Sequence, residues 1–238
     1  MDSILEAWQP SIRRLAETCL VMPENFVGKE KILGVHSGLV AFFTDASDNM
    51  EFTPLVGRFN ALNVNASVLL CDRLGLSAEE IKKALKSFEP AFGRGEVLSK
   101  DSQEFYVFLA KNPASFNNNL QMLLEDPFFQ GREGLLFILN DNIPDGRDVS
   151  WIYDIEPDLL FKVCAGKSVY VSGTRNLDMQ IRLNYAGVMH VKNLGNLVDP
   201  GGLAPSLLDQ VLEKQVVVLP NYSAMLEFRK LLTGKDIL

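Results

Sequence analysis

The chain reads as an α/β domain built on a mainly parallel sheet, and three observations predict this. From Phe105 onward, short apolar runs at 105–109, 135–139, 169–172, 188–191 and 216–219 alternate with helical patterns at 115–125, 177–186, 204–212 and 223–232. Strands that alternate with helices of about ten residues argue for crossover connections and a sheet covered on both faces. The run Gly134-Leu135-Leu136-Phe137-Ile138-Leu139 is uninterrupted by polar residues, as a strand buried on both faces requires. It passes straight into a polar loop, Asn140 to Asp148, at the carboxyl end of the strand, where open α/β sheets hold their sites.

Each earlier element has its own local reason. Residues 3–20 fit a helix that Pro10 either kinks or restarts at Ser11, since proline removes an amide donor. Short β-like pieces at 32–35, 39–44 and 52–56, separated by Asp45-Ala46-Ser47-Asp48-Asn49, suggest a small antiparallel meander or the tail of a larger sheet. Leu62, Ala66, Leu69, Leu70 and Leu74 follow helical spacing over 59–74, with Gly75 as the stop. Ser77 and Glu80 form a capping box for the next helix, whose buried stripe is Ile81, Leu85 and Phe88 and whose end is Pro90.

Composition narrows the function. The 238 residues are 47% hydrophobic, enough for a substantial core, and the formal charge of −7 with no basic stripe argues against nucleic-acid binding. Cys19, Cys71 and Cys164 are odd in number and far apart, so neither a disulfide framework nor a zinc ribbon is expected, and no metal ligands are assigned. Asp2 and Glu6 with no basic segment before an apolar one argue against a signal peptide, and no apolar run reaches the roughly 18 residues of a transmembrane segment. A cytoplasmic protein is expected. Neither G-x-x-x-x-G-K-[ST] nor G-x-S-x-G occurs. His36 and His190 are the only histidines, His190 falls in a strand-like run, and no cysteine neighbours either, so a complete Cys-His-Asp machine within this chain is not expected.

Asp141, Asp145 and Asp148 lie on the loop after residue 139. Three acids there can hold Mg²⁺, orient a histidine or act as a base; locally, Asp145-Gly146 serves a turn and Asp148 caps the segment from Ser150. Asn60 and Asn63, three apart on a helix face, carry donors and acceptors for a base edge or a backbone. Arg94, between Gly93 and Gly95, suits a phosphate or carboxylate. Lys111 and Asn112 stand at a strand-to-helix junction, with Pro113 as the first helical residue, where an anion can bind. Ser172-Gly173-Thr174-Arg175 reads as a plain connection with glycine at the turn.

Taken together, several segments resemble the MurT family, the Mur-ligase-like subunits of lipid II isoglutaminyl synthases. They are Gly57-Arg58-Phe59-Asn60-Ala61-Leu62-Asn63, Phe92-Gly93-Arg94-Gly95-Glu96, Lys111 to Asn117, Leu139 to Asp154, Ser172 to Arg175 and Leu219-Pro220-Asn221-Tyr222, in that order. The resemblance implies a Mur-ligase C-terminal-type Rossmann-like domain over 93–238, a helical connection over 57–92, and over 1–56 an N-terminal helix and β remnant of a Mur-ligase central domain. It also implies a part in the ATP-, Mg²⁺- and glutamine-dependent amidation of the D-glutamate α-carboxylate of lipid II, in cell-wall peptidoglycan synthesis. The partner implied is a GatD-type glutaminase, whose Cys-His pair Asp148 completes as the catalytic acid. Asn60, Asn63, Arg94, Lys111 and Asn112 are implied as nucleotide contacts. Ser115 stands where the family usually has glycine, and the phosphate loop of the family's central domain is absent from these residues. The alternative is a non-catalytic module that docks a glutaminase without ligase activity; a third reading is an independent enzyme with Asp141, Asp145 and Asp148 around Mg²⁺.

Overall fold

The computed structural model describes residues 92–197 and 208–235 without a break, with 74–88, three strands and scattered helical positions upstream. The expected helix over 3–20 lies outside the described residues. Contacts divide the chain into two units, Met1–Phe88 and Glu89–Leu238.

In the first unit, β1 (Val35–His36), β2 (Leu39–Phe43) and β3 (Met50–Thr53) form an antiparallel sheet in that order, the expected meander. Described positions between 60 and 71 are helical. Gly75 (φ +87°) stops this helix, with the Leu76 N–H donating to the Cys71 carbonyl at 3.1 Å across the left-handed turn. Helix α1 (Ala78–Lys86) begins at the Ser77–Glu80 capping box. Its stripe is shorter than expected. Ile81 is buried and Leu85 half-buried, but the helix closes at Ser87, so Phe88 falls outside it and is exposed.

The second unit is a six-stranded sheet: β4 (Arg94–Lys100), β5 (Gln103–Phe108), β6 (Gly134–Ile138), β7 (Ser168–Ser172), β8 (Val191–Asn193) and β9 (Gln215–Pro220), ordered β4-β5-β9-β6-β7-β8. All neighbours run parallel except β4, an antiparallel edge joined to β5 through Asp101-Ser102. Among the described residues the unit also has helices α2 (Pro113–Glu125), α3 (Pro127–Gln130), α4 (Pro157–Cys164), α5 (Asn176–Tyr185) and α6 (Tyr222–Thr233). Because side chains alternate along a strand, Phe105, Val107, Leu136, Ile138, Val216 and Val218 form one core with Ala224, Met225 and Phe228 of α6. On α2, Phe116 stacks on Phe137 of β6 with ring centroids 5.9 Å apart. Burying each such side chain contributes about 2 kcal/mol.

Three expectations need correction. Residues 188–191 are not a strand: the chain leaves α5 through Gly187 (φ +88°), Val188 donates back to the Leu183 carbonyl, and β8 starts only at Val191. Val188 is buried by the helix cap rather than by strand pairing, and His190 lies in an exposed loop. In the expected helix over 204–212, residues 204–207 lie outside the described residues; Leu208 is helical and 209–213 are turn and loop. The glycines flanking Arg94 do not leave it flexible: Arg94 lies on β4, at the bulge between Arg94 and Glu96, where Gly93 (φ +68°) and Gly95 (φ +87°) turn the backbone.

Candidate catalytic loop at the carboxyl ends of the parallel strands

The loop from Leu139 to Asp148 leaves β6 at the centre of the sheet, flanked by β9 and β7. Its first turn is welded to both neighbours. Asn140, fully buried, donates its N–H to Asn221 Oδ1 at 3.1 Å, and Asn221 Nδ2 returns a bond to the Asn140 carbonyl at 2.7 Å. On the other side, Asn140 Oδ1 accepts the Thr174 N–H at 3.0 Å and the Leu139 carbonyl accepts the Arg175 N–H at 2.9 Å. Gly173 (φ +102°) makes this approach possible, since a Cβ there would collide with the Leu139 carbonyl and come within 2.7 Å of Asn140 Oδ1. Ser172 to Arg175 is therefore more than a plain connection.

The three loop acids have separate partners. Asp141 accepts the Thr174 hydroxyl at 2.8 Å and lies 3.4 Å from an Arg175 amino nitrogen; the hydroxyl first, then the guanidinium, hold its carboxyl below the usual range. Asp145 accepts the N–H and hydroxyl of Ser223 at the start of α6. Asp148 is exposed, and its Oδ1 accepts the Ser150 N–H at 2.8 Å. That bond, with smaller contributions from the Ser150 side chain and Arg175, lowers the Asp148 pKa, keeping it an ionised acceptor at neutral pH. Asp148 thus closes a turn into the short 3₁₀ helix Ser150–Asp154, but the cap residue of that helix is Val149, not Asp148 as its position suggested. The structure does not gather the three acids around a cation: among the described residues no group of three or more His, Cys, Asp or Glu is placed to hold a metal. The third sequence reading is thereby set aside.

Four residues that sequence reading passed over hold this loop. Glu227 on α6 accepts Asn140 Nδ2 at 2.7 Å through Oε2 and Asn142 Nδ2 at 2.9 Å through Oε1. Burial pushes its carboxyl above the usual range, against the pull of the two amides. Ser223 accepts a second bond from Asn142 at 3.1 Å. Arg182 of α5, almost fully buried, donates to the carbonyls of Ile152 and Ile155 and so fixes the 3₁₀ helix after Asp148. The fourth, Asn221, is the partner of Asn140 described above. Only Asn221, one residue past Pro220 at a strand-to-helix junction, left a signal that local reading can use.

The other expected site residues belong to other elements. Lys111 and Asn112 follow β5; both are exposed, and Asn112 Oδ1 caps α2 by accepting the Ser115 N–H at 2.8 Å. Ser115 returns the bond, its Oγ accepting the Asn112 N–H at 3.2 Å, which completes a capping box. Arg94 is exposed on β4. Asn60 and Asn63 are helical positions of the first unit, and the Asn63 carbonyl accepts the Ser67 hydroxyl at 2.9 Å. Burial pushes the Cys164 thiol up to about 12, so it is no nucleophile at neutral pH.

An apolar face adjoins the loop. Leu177, Ile181 and Tyr185 recur at helical spacing along the exposed side of α5, and Tyr185 meets Tyr153 of the 3₁₀ helix with ring centroids 6.3 Å apart.

Residues 109–225, which contain this loop and all its partners but Glu227, match the family described as MurT ligase C-terminal. Over 146 residues the chain is 34% identical to the MurT subunit of lipid II isoglutaminyl synthase (glutamine-hydrolyzing) from Staphylococcus aureus, an alignment covering 61% of this chain and 32% of that protein. With the corresponding subunit of Streptococcus pneumoniae it shares 29% over 188 residues, covering 76% of this chain and 39% of that one. The chain therefore spans about a third of the length of the curated relatives it matches. MurF from Acinetobacter baumannii superposes with a TM-score of 0.59 at 17% identity, over 86% of this chain and 44% of that one, a likeness of fold. By these matches, residues 109–225 are similar to the MurT ligase C-terminal family.

Proposed function

We propose that this chain takes part, as a Mur-ligase-like subunit, in the glutamine-dependent amidation of the D-glutamate α-carboxylate of lipid II, and that Asp148 completes the Cys-His pair of a GatD-type glutaminase. The observation that carries this reading is Asp148 itself: an exposed carboxylate, kept ionised by the Ser150 N–H, at the end of a loop fixed by buried side chains. A carboxylate of this kind orients an imidazole and stabilises its cation without acting as the nucleophile. The apolar face of Tyr153, Ile181 and Tyr185 beside it supports docking of a partner, since exposed apolar patches mark interaction surfaces. The amidation needs the α-carboxylate activated by ATP and Mg²⁺ before ammonia attacks. Asn60, Asn63, Arg94, Lys111 and Asn112 are the nucleotide contacts in this reading, and residues 1–56 are the remnant of a Mur-ligase central domain, joined by 57–92 to the domain over 93–238. The cytoplasm, where glutamine and ATP are supplied, is its compartment.

A second reading is docking and triad completion without ligation by these residues, among which G-x-x-x-x-G-K-[ST] does not occur. One experiment tests the shared core of both. Glutamine hydrolysis by a GatD-type glutaminase is measured with the wild-type chain and with Asp148→Asn. Stimulation by wild type and loss of about a thousand-fold or more with the variant, at unchanged circular dichroism, is the expected result; normal hydrolysis with Asp148→Asn sinks the triad assignment. Titration with ATP and Mg²⁺ then separates ligase from docking module.

A further inference from the structure

We propose that Glu227 is a positioning residue for Asp148, locking the 140–148 loop by accepting the amides of Asn140 and Asn142 at once. This inference rests on the reading of Asp148 as the acid presented to a glutaminase. Glu227 lies 79 residues downstream of Asp148 in the chain, outside the matched family region, and touches neither a reacting atom nor Asp148 itself.

The geometry makes Glu227 the hub of the loop. Asn140 and Asn142 are separated by one residue, and their side-chain amides converge on the two oxygens of one carboxylate, at 2.7 and 2.9 Å. Bonds between Asn140 and Asn221 fix where the loop starts, and Thr174 holds the next residue, Asp141, through its N–H and carboxylate. The Glu227 contact to Asn142, with Ser223 as second acceptor, carries the hold on to the third residue. Ser223, one turn earlier on α6, then takes Asp145 through its N–H and hydroxyl. A single helix face, Ser223 and Glu227 at i and i+4, thus grips the loop at 140, 142 and 145. Beyond Asp145 the loop is tethered next by the Asp148–Ser150 turn and the 3₁₀ helix held by Arg182. Asp148 therefore hangs between a grip from α6 and a grip from α5, and the α6 grip has one side chain at its centre.

Charge supports the assignment. An ionised carboxylate accepting two amide donors is the strongest acceptor available in this polar pocket, and glutamine at the same position keeps the shape and one acceptor but sets its own NH₂ against a second donor. Aspartate is one methylene too short to span both amides.

The test compares wild type with Glu227→Ala, Glu227→Gln and Asp148→Asn, using the full chain with a GatD-type glutaminase and glutamine as substrate. Two readouts are taken: partner-dependent hydrolysis over a titration of the glutaminase, and amide hydrogen exchange along residues 139–150 of the chain alone. With Glu227→Ala, kcat falls by about ten- to a hundred-fold, the scale of a displaced catalytic group. The glutaminase concentration giving half-maximal stimulation stays within about two-fold, because the docking face is untouched. Exchange in 139–150 rises while that of β6 and β9 does not, and Glu227→Gln recovers part of both losses. Wild-type kcat with Glu227→Ala, or unchanged loop exchange, overturns the proposal, as does an equal rise in exchange across β6 and β9, which marks a merely structural role. A silent Asp148→Asn variant overturns the triad reading instead, and with it a positioning role toward Asp148, even if loop exchange still responds to Glu227→Ala.

Discussion

The loops after β5 and β6 leave the same edge of the same sheet, yet they are held in opposite ways. After β5, Asn112 and Ser115 satisfy each other three residues apart, and Pro113 presets the first helical dihedral. After β6, the partners lie 33 to 87 residues away: Thr174, Asn221, Ser223 and Glu227. The first junction is a local device that stabilises one helix. The second is a buried polar network, which rigidifies its loop only when every member is satisfied. A catalytic group presented to another polypeptide, as proposed for Asp148, needs the second kind, because its orientation cannot rely on the chain adjacent to it.

Breaking the close approach of backbones has the largest effect. Gly173→Ala places a methyl group against the Leu139 carbonyl at a φ that disfavours any side chain, and we expect a loss of about 3 kcal/mol in denaturant unfolding. Retention of wild-type stability would show that β6 and β7 separate at their ends more readily than their pairing suggests.

The two asparagines sharpen the comparison further. Asn221→Ala strands the buried N–H and carbonyl of Asn140 and should cost about 2–3 kcal/mol, whereas Asn112→Ala removes an exposed cap and should cost about 1 kcal/mol. Parallel unfolding curves test this. Equal losses would mean that the long-range network is no stronger than a helix cap.

The smallest effect is on acid stability. Thr174 and Arg175 hold Asp141 below its ordinary value of 3.8, so its contribution is present above that pH and disappears as pH falls through the lowered value. Asp141→Asn should therefore lose a little stability at neutral pH and show a shallower decline below about pH 4. An unchanged acid limb would remove Asp141 from the set of groups that hold the loop.

How much was legible follows the same division. The parallel strands β5, β6, β7 and β9 were readable because strands buried on both faces must be apolar throughout. Strand β4 was not: on the edge it buries only Leu98, and its polar sequence conceals backbone pairing to β5. The cap at Ser77, the stop at Gly75 and Pro113 at the start of α2 were visible because each is a rule within five residues. Asp148 was singled out by its place after the β6 run and by resemblance, and its bond to Ser150 is local as well. Val188 misled for a physical reason, since a helix cap and a strand both bury a β-branched residue.

The sequence by itself determined the fold class, the family resemblance of the carboxyl-terminal domain and which loop carries the candidate acid, because hydrophobic periodicity, turn chemistry and motif strings are properties of neighbouring residues. Only the tertiary structure decided which groups hold that acid in place. Glu227, Arg182, Ser223 and Asn221 reach the loop from helices and strands elsewhere in the fold. Buried polar groups must find partners, and which ones they find depends on where parallel crossovers bring distant segments together.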